Sequence, residues 1–355
     1  MITGKKSCCQ SGIADKPYII GRTQSGKIPV VSSELTLKDR LGALKVRLSI
    51  NRMNYKIEPG LYGIGNPDKD SNVFISCNYK LSFDILRKDL AGIDAWIMVL
   101  DTKGINVWCA AGKGTFSTEE LVNRIKTSKL EKIVEHKRII VPQLGAPGIS
   151  AHSVQKETGF RIKYGPVRSS DIKEFIKSNY KATADMRLVK FTLKDRLKLV
   201  PVEFVGNLKI FSILLLVFFI LSGINKSGYS VELMLSKGTF SLIVLGSSFL
   251  LISVLGPMLL PFIPGRAFSL KGFIIGLLTV TPVILLSIFN LNVLSKISFA
   301  LLISVIASYS LMNFTGSSTY TSLSGVAREM GFAVPLQLAA LICGTVLFVL
   351  SSILI

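Results

Sequence analysis

The stretch Ala95-Trp-Ile-Met-Val-Leu-Asp-Thr-Lys-Gly-Ile-Asn-Val-Trp-Cys-Ala-Ala-Gly-Lys-Gly-Thr-Phe116 decides the fold of the soluble part of this chain. Its first six residues are apolar without alternation, which is typical of a strand buried on both faces. The residues around Cys109 are predicted to form a short helical turn. Ser117 and Glu120 then have the spacing of a capping box, which predicts the start of a longer helix. The stretch therefore lies where an open α/β sheet binds its ligand, outside the carboxyl ends of its strands.

The chain of 355 residues divides into two parts that differ in charge and hydropathy. After Phe211 there are six basic and two acidic residues (+4), so 42 − 6 = 36 basic and 22 − 2 = 20 acidic residues (+16) precede them. A basic soluble part followed by an apolar part indicates a domain tethered to an anionic bilayer. The basic residues are spread over several predicted elements without interleaved aromatic residues, so no binding to nucleic acid is expected.

Predicted strands and helices alternate from Asn72 onward, which predicts a mostly parallel, doubly wound sheet in residues 66–200. Residues 1–65 are expected to be an N-terminal tail and edge segment of this domain, with short strand-like runs near Val46 and Tyr55. The predicted strands are Val73–Cys77, Ala95–Leu100, Arg138–Val141, Phe160–Tyr164 and Met186–Leu193. The predicted helices are one capped by Ser82, Thr118–Lys126, Ile149–Thr158 and Asp171–Ser178.

Five apolar segments follow Pro201, and each is close to the ~20 residues that a helix needs to cross a bilayer. They are Leu208–Ile224, Phe240–Leu260, Gly272–Phe289, Ile297–Phe314 and Val334–Ile355. Residues 201–355 are therefore predicted to be an all-α transmembrane domain with five helices. Basic residues in the loops are balanced between the two sides, but those between Lys190 and Lys209 favour a cytoplasmic first domain at the cell membrane. No acidic residue lies within these five segments, so a transporter is not favoured.

Cysteine usage favours a reducing, cytosolic setting for the first domain. The polar segment Met1–Pro17 has no apolar core, so no secretory signal is expected. The chain has no Cys-x-x-Cys spacing, so neither a zinc site, an iron–sulfur cluster nor a disulfide framework is expected. The five cysteines are Cys8, Cys9, Cys77, Cys109 and Cys343.

Cys109 is the first candidate for chemistry. It is either a buried structural thiol, the common fate of a cysteine, or a reactive or metal-ligating thiolate. Its place at the start of a short helix, four residues before Lys113, favours the thiolate, because helix N-termini and cations lower the pKa of a thiol. Lys113 does not belong to a phosphate loop, since Val107 and Gly114 stand where that motif needs a glycine and a Ser or Thr.

Other polar residues are weaker candidates. His136 and His152 are interpreted as surface or hydrogen-bonding residues, although either could serve as an acid or base. The adjacent Cys8 and Cys9 either hold a soft cation or belong to an uninvolved tail. The Ser/Thr-rich run Thr315–Gly325 is either a plain loop or a segment with a docking or gating role.

A family resemblance rests on the central stretch and its neighbours. The segment Asn106-Val-Trp-Cys-Ala-Ala-Gly-Lys113 resembles the cap-helix signature of the HgcA family, the membrane corrinoid proteins of microbial mercury methylation. The segments Cys77–Asp84, Pro142–Gly148 and Tyr164–Arg168 resemble neighbouring parts of that family. Residues 72–180 are similar, more distantly, to the large subunit of the corrinoid iron–sulfur protein of the acetyl-CoA pathway. That subunit has a four-cysteine cluster site that this chain lacks, and no membrane region.

The resemblance implies a Rossmann-like corrinoid-binding domain over residues 66–200. It implies a cobalamin-type corrinoid bound base-off, with Cys109 as the lower axial ligand of the cobalt and the catalytic residue. The implied corrinoid-binding residues are Asn106, Val107, Trp108, Cys109, Ala110, Ala111, Gly112 and Lys113.

The implied activity is that of a corrinoid-dependent methyltransferase. The methyl group would come from a methyl-tetrahydrofolate-dependent donor protein and pass to Hg(II), giving methylmercury. A ferredoxin-type iron–sulfur reductase is the implied redox partner, because the chain has no redox centre of its own. Two alternatives stay open: a membrane-anchored corrinoid methyl carrier for another acceptor, and a non-catalytic membrane-anchored α/β ligand sensor.

Overall fold

The computed structural model describes residues 16–23, 28–285, 291–314 and 323–354. The chain divides into two compact units, Met1–Val46 with Ile50–Val189 and Arg47–Ser49 with Lys190–Ile355. The strands of the first unit are β1 (Ile19–Arg22), β2 (Pro29–Val31), β3 (Gly60–Ile64), β4 (Asn72–Cys77), β5 (Ala95–Leu100), β6 (Arg138–Val141) and β7 (Arg161–Tyr164). Its α-helices are α1 (Leu37–Arg47), α2 (Lys80–Asp89), α3 (Val107–Gly112), α4 (Thr118–Ser128), α5 (Ala151–Thr158) and α6 (Ile172–Lys177).

The seven strands form one sheet in the order β1-β2-β3-β5-β4-β6-β7. Strand β4 is parallel to both β5 and β6, and β6 is parallel to β7, whereas β3 is antiparallel to β5. The chain goes outward from β4 to β5 on one side and then continues from β6 on the other. The strand order therefore reverses at β4, and such a switch point is where open α/β sheets bind their ligands.

Helices cover both faces of this sheet, as the apolar run of β5 predicts. Trp96 and Met98 of β5 pack on the face covered by α4 and α5, and Ile97 and Val99 pack on the face covered by α2 and α6. This alternation follows from the two-residue period of a strand. The predicted α/β class of the first domain is confirmed.

Residues 19–64 contribute more to the fold than the sequence pattern predicts. Strands β1 to β3 and helix α1 come from this segment, and β3 pairs along its full length with β5. The strand-like interpretation of Val46 is wrong, because Val46 lies in α1 and packs into the core. The predicted strand Met186–Leu193 is also wrong: the chain there begins with a 3₁₀ turn, Asp185–Arg187. Helix α2 starts before the predicted cap Ser82, after Tyr79.

A buried ion network attaches the N-terminal segment to α2. Arg87 is fully buried, and its guanidinium donates to the carboxylates of Asp84 (2.9 Å) and Asp39 (2.7 Å). The same guanidinium donates to the backbone carbonyls of Ser32 (2.6 Å) and Glu34 (2.7 Å). One side chain on α2 thus fixes both the loop after β2 and the first turn of α1.

Lys80 completes this network from the start of α2. Its ammonium lies 2.5 Å from Asp39 and 2.6 Å from Asp84. Burial alone would raise the pKa of Asp39, but hydrogen bonds from Lys80 and Thr36 and the charge of Lys80 outweigh it and hold that pKa at about 2. The carboxylate is therefore ionised at neutral pH, and its charge is compensated.

The second unit is helical. Its helices are α7 (Leu193–Leu197), α8 (Val200–Leu221), α9 (Val231–Leu259), α10 (Phe268–Leu285), α11 (Val293–Phe314) and α12 (Leu323–Ile353), and the short strands β8 (Ile224–Asn225) and β9 (Gly228–Tyr229) join α8 to α9. Five helical segments are long and apolar enough to cross a membrane: Leu193–Leu221, Val231–Leu259, Phe268–Leu285, Val293–Phe314 and Gly325–Ile353. The predicted number of spans is confirmed for the described residues, and the first, second, fourth and fifth are longer than predicted.

The longer candidate spans do contain acidic residues: Asp195 and Glu203 in the first, Glu232 in the second and Glu329 in the fifth. Glu329 lies within α12 and is buried. Its carboxylate accepts a hydrogen bond from the backbone N–H of Ser269, 2.5 Å away, at the start of α10. Arg196 and Lys271 are bonded at the end of α9: Arg196 donates to two of its last carbonyls and Lys271 donates to that of Leu260.

Two of the candidates from the sequence lie outside the described residues. These are the pair Cys8 and Cys9 and, within the Ser/Thr-rich run, residues 315–322.

We predict that Arg87→Leu destabilises the first unit by about 3–5 kcal/mol, because it removes the fully buried cation and leaves Lys80 alone to compensate two buried carboxylates. Hydrogen exchange of the purified full chain should show the backbone amides of residues 29–47 losing protection first. Lys88→Leu is the matched control, since Lys88 is the exposed neighbour of Arg87 on α2. Equal protection in both variants would contradict the role given to Arg87.

Candidate functional site

The site begins at the carboxyl end of β4, where Asn78 is almost fully buried. Its amide oxygen accepts from the backbone N–H of Thr102 (3.1 Å), the Thr102 hydroxyl (2.9 Å) and the backbone N–H of Gly104 (2.9 Å). Its amide nitrogen donates to the carboxylate of Asp101 at 3.0 Å. Gly104 has a φ of +78°, which a residue with a side chain rarely adopts. The loop after β5 is therefore fixed to the end of β4.

Helix α3 starts from this loop and has one buried and one exposed side. The Asn106 side chain accepts from the backbone N–H of Cys109 at 2.9 Å and caps the helix. Ala110 and Ala111 are buried against the core, whereas Trp108 is 43% exposed and Cys109 is exposed. The predicted short helical turn is confirmed, and the Cys109 thiol is not buried.

Gly112 and Lys113 complete the exposed side of α3. Residues four apart on a helix lie on the same face, so Gly112 follows Trp108 and Lys113 follows Cys109. The structure thus brings together Trp108, Cys109, Gly112 and Lys113. Of the remaining residues of the motif, Val107 packs onto the core beside the two alanines, and Asn106 is the cap.

A close contact holds α3 against the loop that follows β6. Phe116 is fully buried, and a Cβ on Gly145 would overlap its ring. A Cβ on Gly148 would overlap the carbonyl oxygen of Phe116 and come within 3.4 Å of the Ala111 Cα. Only glycine lets the 3₁₀ turn Gln143–Gly148 come this close. Helix α3 therefore runs from the end of β5 to the turn after β6, across the end of β4 between them.

The two cysteines at this edge have different environments. Burial raises the pKa of the Cys77 thiol above its usual range, while hydrogen bonds from Ser82 and from backbone N–H groups, including that of Val107, act in the opposite direction. Cys77 is therefore a packed thiol under the first turn of α3, and Cys109 is the accessible one. Among the described residues, no three His, Cys, Asp or Glu side chains are grouped to hold a metal ion.

Glu120 has a different role from the one that the capping box predicts. Ser117 does cap α4, accepting from the backbone N–H of Glu120 at 3.3 Å. The carboxylate of Glu120 instead accepts from the backbone N–H of Asp101 (2.9 Å) and from Arg124 (2.7 Å). It is a second fixed point for the loop after β5.

The two histidines lie away from α3. His136 precedes β6, at the amino end of the strands, where its Nε2 is 2.9 Å from the carbonyl oxygen of Ser71 and its Nδ1 accepts from the backbone N–H of Arg138. His152 is on the exposed side of α5. Neither is grouped with Cys109.

Several residues that build the site were not identified from the sequence. The position of Asn78 directly after a predicted strand was the available signal for its role. The glycines of the turn after β6 signal a turn, but not the aromatic ring that fills the space they leave. These residues are Asn78, Thr102, Phe116, Gly145 and Gly148.

Comparison with known proteins finds relatives of the first unit. Residues 42–176 match the family described as the CO dehydrogenase/acetyl-CoA synthase delta subunit. Relatives named acetyl-CoA decarbonylase/synthase complex subunit gamma include those of Archaeoglobus fulgidus (33% identical over 131 residues), Methanopyrus kandleri (34% over 123) and Methanocaldococcus jannaschii (31% over 126).

These matches cover part of each protein. They include 34–36% of this chain and 25–27% of each of the three relatives, so the chain spans about a quarter of the length of the curated relatives it matches. The matched residues contain α3 and the loops that hold it, and they end before the helical unit. The α/β unit of this chain is thus related to subunits of the acetyl-CoA decarbonylase/synthase complex.

Proposed function

We propose that the α/β unit binds a corrinoid and serves as a methyl carrier, with Hg(II) as the methyl acceptor and methylmercury as the product. The single observation that carries this proposal is the exposed thiol of Cys109 on α3, across the switch point of the sheet. When bound, the corrinoid would supply a cobalt centre that accepts a methyl group and gives it up again.

The residues present fit such a group. A corrinoid would bring most of the ligands of its cobalt with it, so the protein would need to supply one further ligand and not a cluster of side chains. The exposed side of α3 offers a single soft ligand, the thiolate of Cys109, beside the flat ring of Trp108. A Cβ on Gly112 would meet no atom within 4 Å, so this side of the helix is open to a large planar ligand.

Each residue of the motif has a role in this proposal. Cys109 would hold the cobalt through its thiolate and is the proposed catalytic residue, and Trp108, Gly112 and Lys113 would contact the corrinoid. Asn106 caps the helix, and the three apolar residues hold it on the core: Val107, Ala110 and Ala111. Because the backbone of α3 is fixed at both ends, the thiol is positioned before the ligand arrives.

The methyl acceptor is inferred from the chemistry of the Cys109 thiolate. A thiolate is soft and electron-rich, and Hg(II) is a soft electrophile. Cys109 is therefore suited to support delivery of a methyl group to mercury. A methyl-tetrahydrofolate-dependent protein is the proposed methyl donor, and a ferredoxin-type iron–sulfur protein is the proposed reductant.

The alternative acceptor is suggested by the relatives. Their names place them in the acetyl-CoA decarbonylase/synthase complex, so a methyl carrier that serves an acceptor other than mercury is the second candidate. In both cases we propose that the helical unit is a multi-pass anchor in the cell membrane and that the α/β unit faces the cytoplasm. The basic residues between Lys190 and Lys209 support this orientation.

We predict that Cys109→Ala changes the absorption spectrum of bound cobalamin and reduces methylmercury formation to background. The expected cause is the loss of the axial thiolate, while the exposed position of Cys109 means that the fold is kept. The measurement is the visible spectrum of the purified full chain after incubation with methylcobalamin, which supplies the methyl group, followed by a methyl-transfer assay with Hg(II). Cys343→Ala is the matched control, since Cys343 is an exposed cysteine of the helical unit.

The visible spectrum and the methyl-transfer assay together distinguish the candidate functions. The proposal is supported if Cys109→Ala changes the cobalamin spectrum and also abolishes methylmercury formation. If the substitution changes the spectrum but the wild-type protein does not methylate Hg(II), a methyl acceptor other than mercury is favoured. Wild-type protein that shows no cobalamin bands after reconstitution would contradict both and favour a ligand sensor.

We predict that Gly148→Ala weakens cobalamin binding by about tenfold or more, because the added Cβ overlaps the Phe116 carbonyl and displaces α3. The measurement is the ratio of bound cobalamin to protein, together with the position of the visible bands, which reports whether the thiolate still binds. Gly21→Ala is the control, since a Cβ on Gly21 meets no atom within 4 Å. Binding equal to that of wild type would show that the contact at Gly148 does not position the helix.

A further inference from the structure

Helix α1 exposes a row of three leucines. Leu37 is 74% exposed, and Leu41 and Leu44 are each 52% exposed. Spaced four and then three residues apart, they project from the same side of the helix. A helix that packs one face on a core normally presents polar residues on the other.

The opposite side of α1 is fixed, so rotation of the helix cannot bury this row. Asp39 is held by Lys80 and Arg87 through the ion network described above. Val46 is 2% exposed in the core, and a Cβ on Gly42 would come 2.5 Å from the hydroxyl of Tyr55.

Basic residues flank the leucine row on both sides. At about 100° per residue, Lys38 and Lys45 lie on one flank, and Arg40 and Arg47 lie on the other. The only acidic residue of α1 is Asp39, which is buried and paired. The exposed surface of α1 is thus a leucine row between two basic edges.

We infer that this surface of α1 lies on the anionic lipid surface of a membrane. An apolar row flanked by Lys and Arg is typical of helices that lie in the membrane interface, where the apolar side chains enter the headgroup region and the cations meet anionic lipids. Because basic residues lie on both sides of the leucine row, they complement a surface that is negatively charged throughout, as an anionic membrane is. The chain also carries five helices of membrane-spanning length, so it keeps the α/β unit close to a bilayer. The inference does not depend on which ligand the α/β unit binds.

The test uses the full chain in lipid vesicles. Leu41→Trp places a fluorophore in the leucine row, and Gln155→Trp places one on the exposed side of α5 as the matched control. The vesicles contain phosphatidylcholine with brominated acyl chains, which quench tryptophan on contact, with or without phosphatidylserine. The parent chain, with Trp96 and Trp108, gives the baseline.

The expected result is a loss of fluorescence for Leu41→Trp in vesicles that contain phosphatidylserine, and no corresponding loss for Gln155→Trp. Raising the salt concentration from about 0.1 M to about 1 M shortens the Debye length from about 10 Å to about 3 Å, so it should reverse part of the quenching. Absence of quenching at Leu41→Trp would overturn the inference, including the case in which a second copy or another protein covers the row. Quenching that is the same without phosphatidylserine and at high salt would overturn the role of the basic edges.

Discussion

The buried amide of Asn78 is the constraint on which the geometry of the site depends. Its oxygen accepts three hydrogen bonds and its nitrogen donates one to Asp101, so a single side chain sets the path of the loop after β5. An aspartate of the same shape would place a second carboxylate against Asp101, and an alanine would remove the acceptor of the buried backbone N–H groups of Thr102 and Gly104. An unpaired buried donor costs about 1–3 kcal/mol. Few other side chains could both accept these hydrogen bonds and donate one to Asp101.

The N-terminal segment is connected to the same point through α2. The backbone carbonyl of Asn78 accepts from the N–H of Ile57, and the N–H of Lys80 donates to the carbonyl of Tyr55. Two residues after Asn78, the side chain of Lys80 then enters the ion network that holds α1. The segment before β4 is therefore part of the support of the site, and the ion network that orients α1 begins two residues after Asn78.

The sequence predicted those elements of the fold that the pattern of their own residues determines. Strand β5 is a continuous apolar run, β4 is apolar apart from Asn72 and Ser76, and α4 has both an apolar face and a capping serine, so these elements followed from the sequence. Strands β1 to β3 are short and are stabilised by partners distant in sequence, and Val46 belongs to a helix whose inward face carries an ion pair. The same holds for the site. The motif around Cys109 is a local sequence pattern and could be predicted, whereas Asn78 and Phe116 act through tertiary contacts, which the spacing of residues along the sequence does not show. Hydropathy placed the start of the fifth span after Glu329 because a charge lowers the average of any window that includes it.

The ends of the helices explain three charges of the helical unit, the buried Arg196 and Glu329 and the partly buried Lys271. Arg196 and Lys271 donate to carbonyls at the end of α9, and Glu329 accepts from an N–H at the start of α10. The signs follow the helix dipole, with cations at a C-terminus and an anion at an N-terminus. Terminal backbone groups have no partner within their own helix, and in an apolar surrounding they need one. These three charges therefore satisfy the turn between α9 and α10, so their burial alone gives no reason to assign an ion pathway to a unit that we propose to be an anchor.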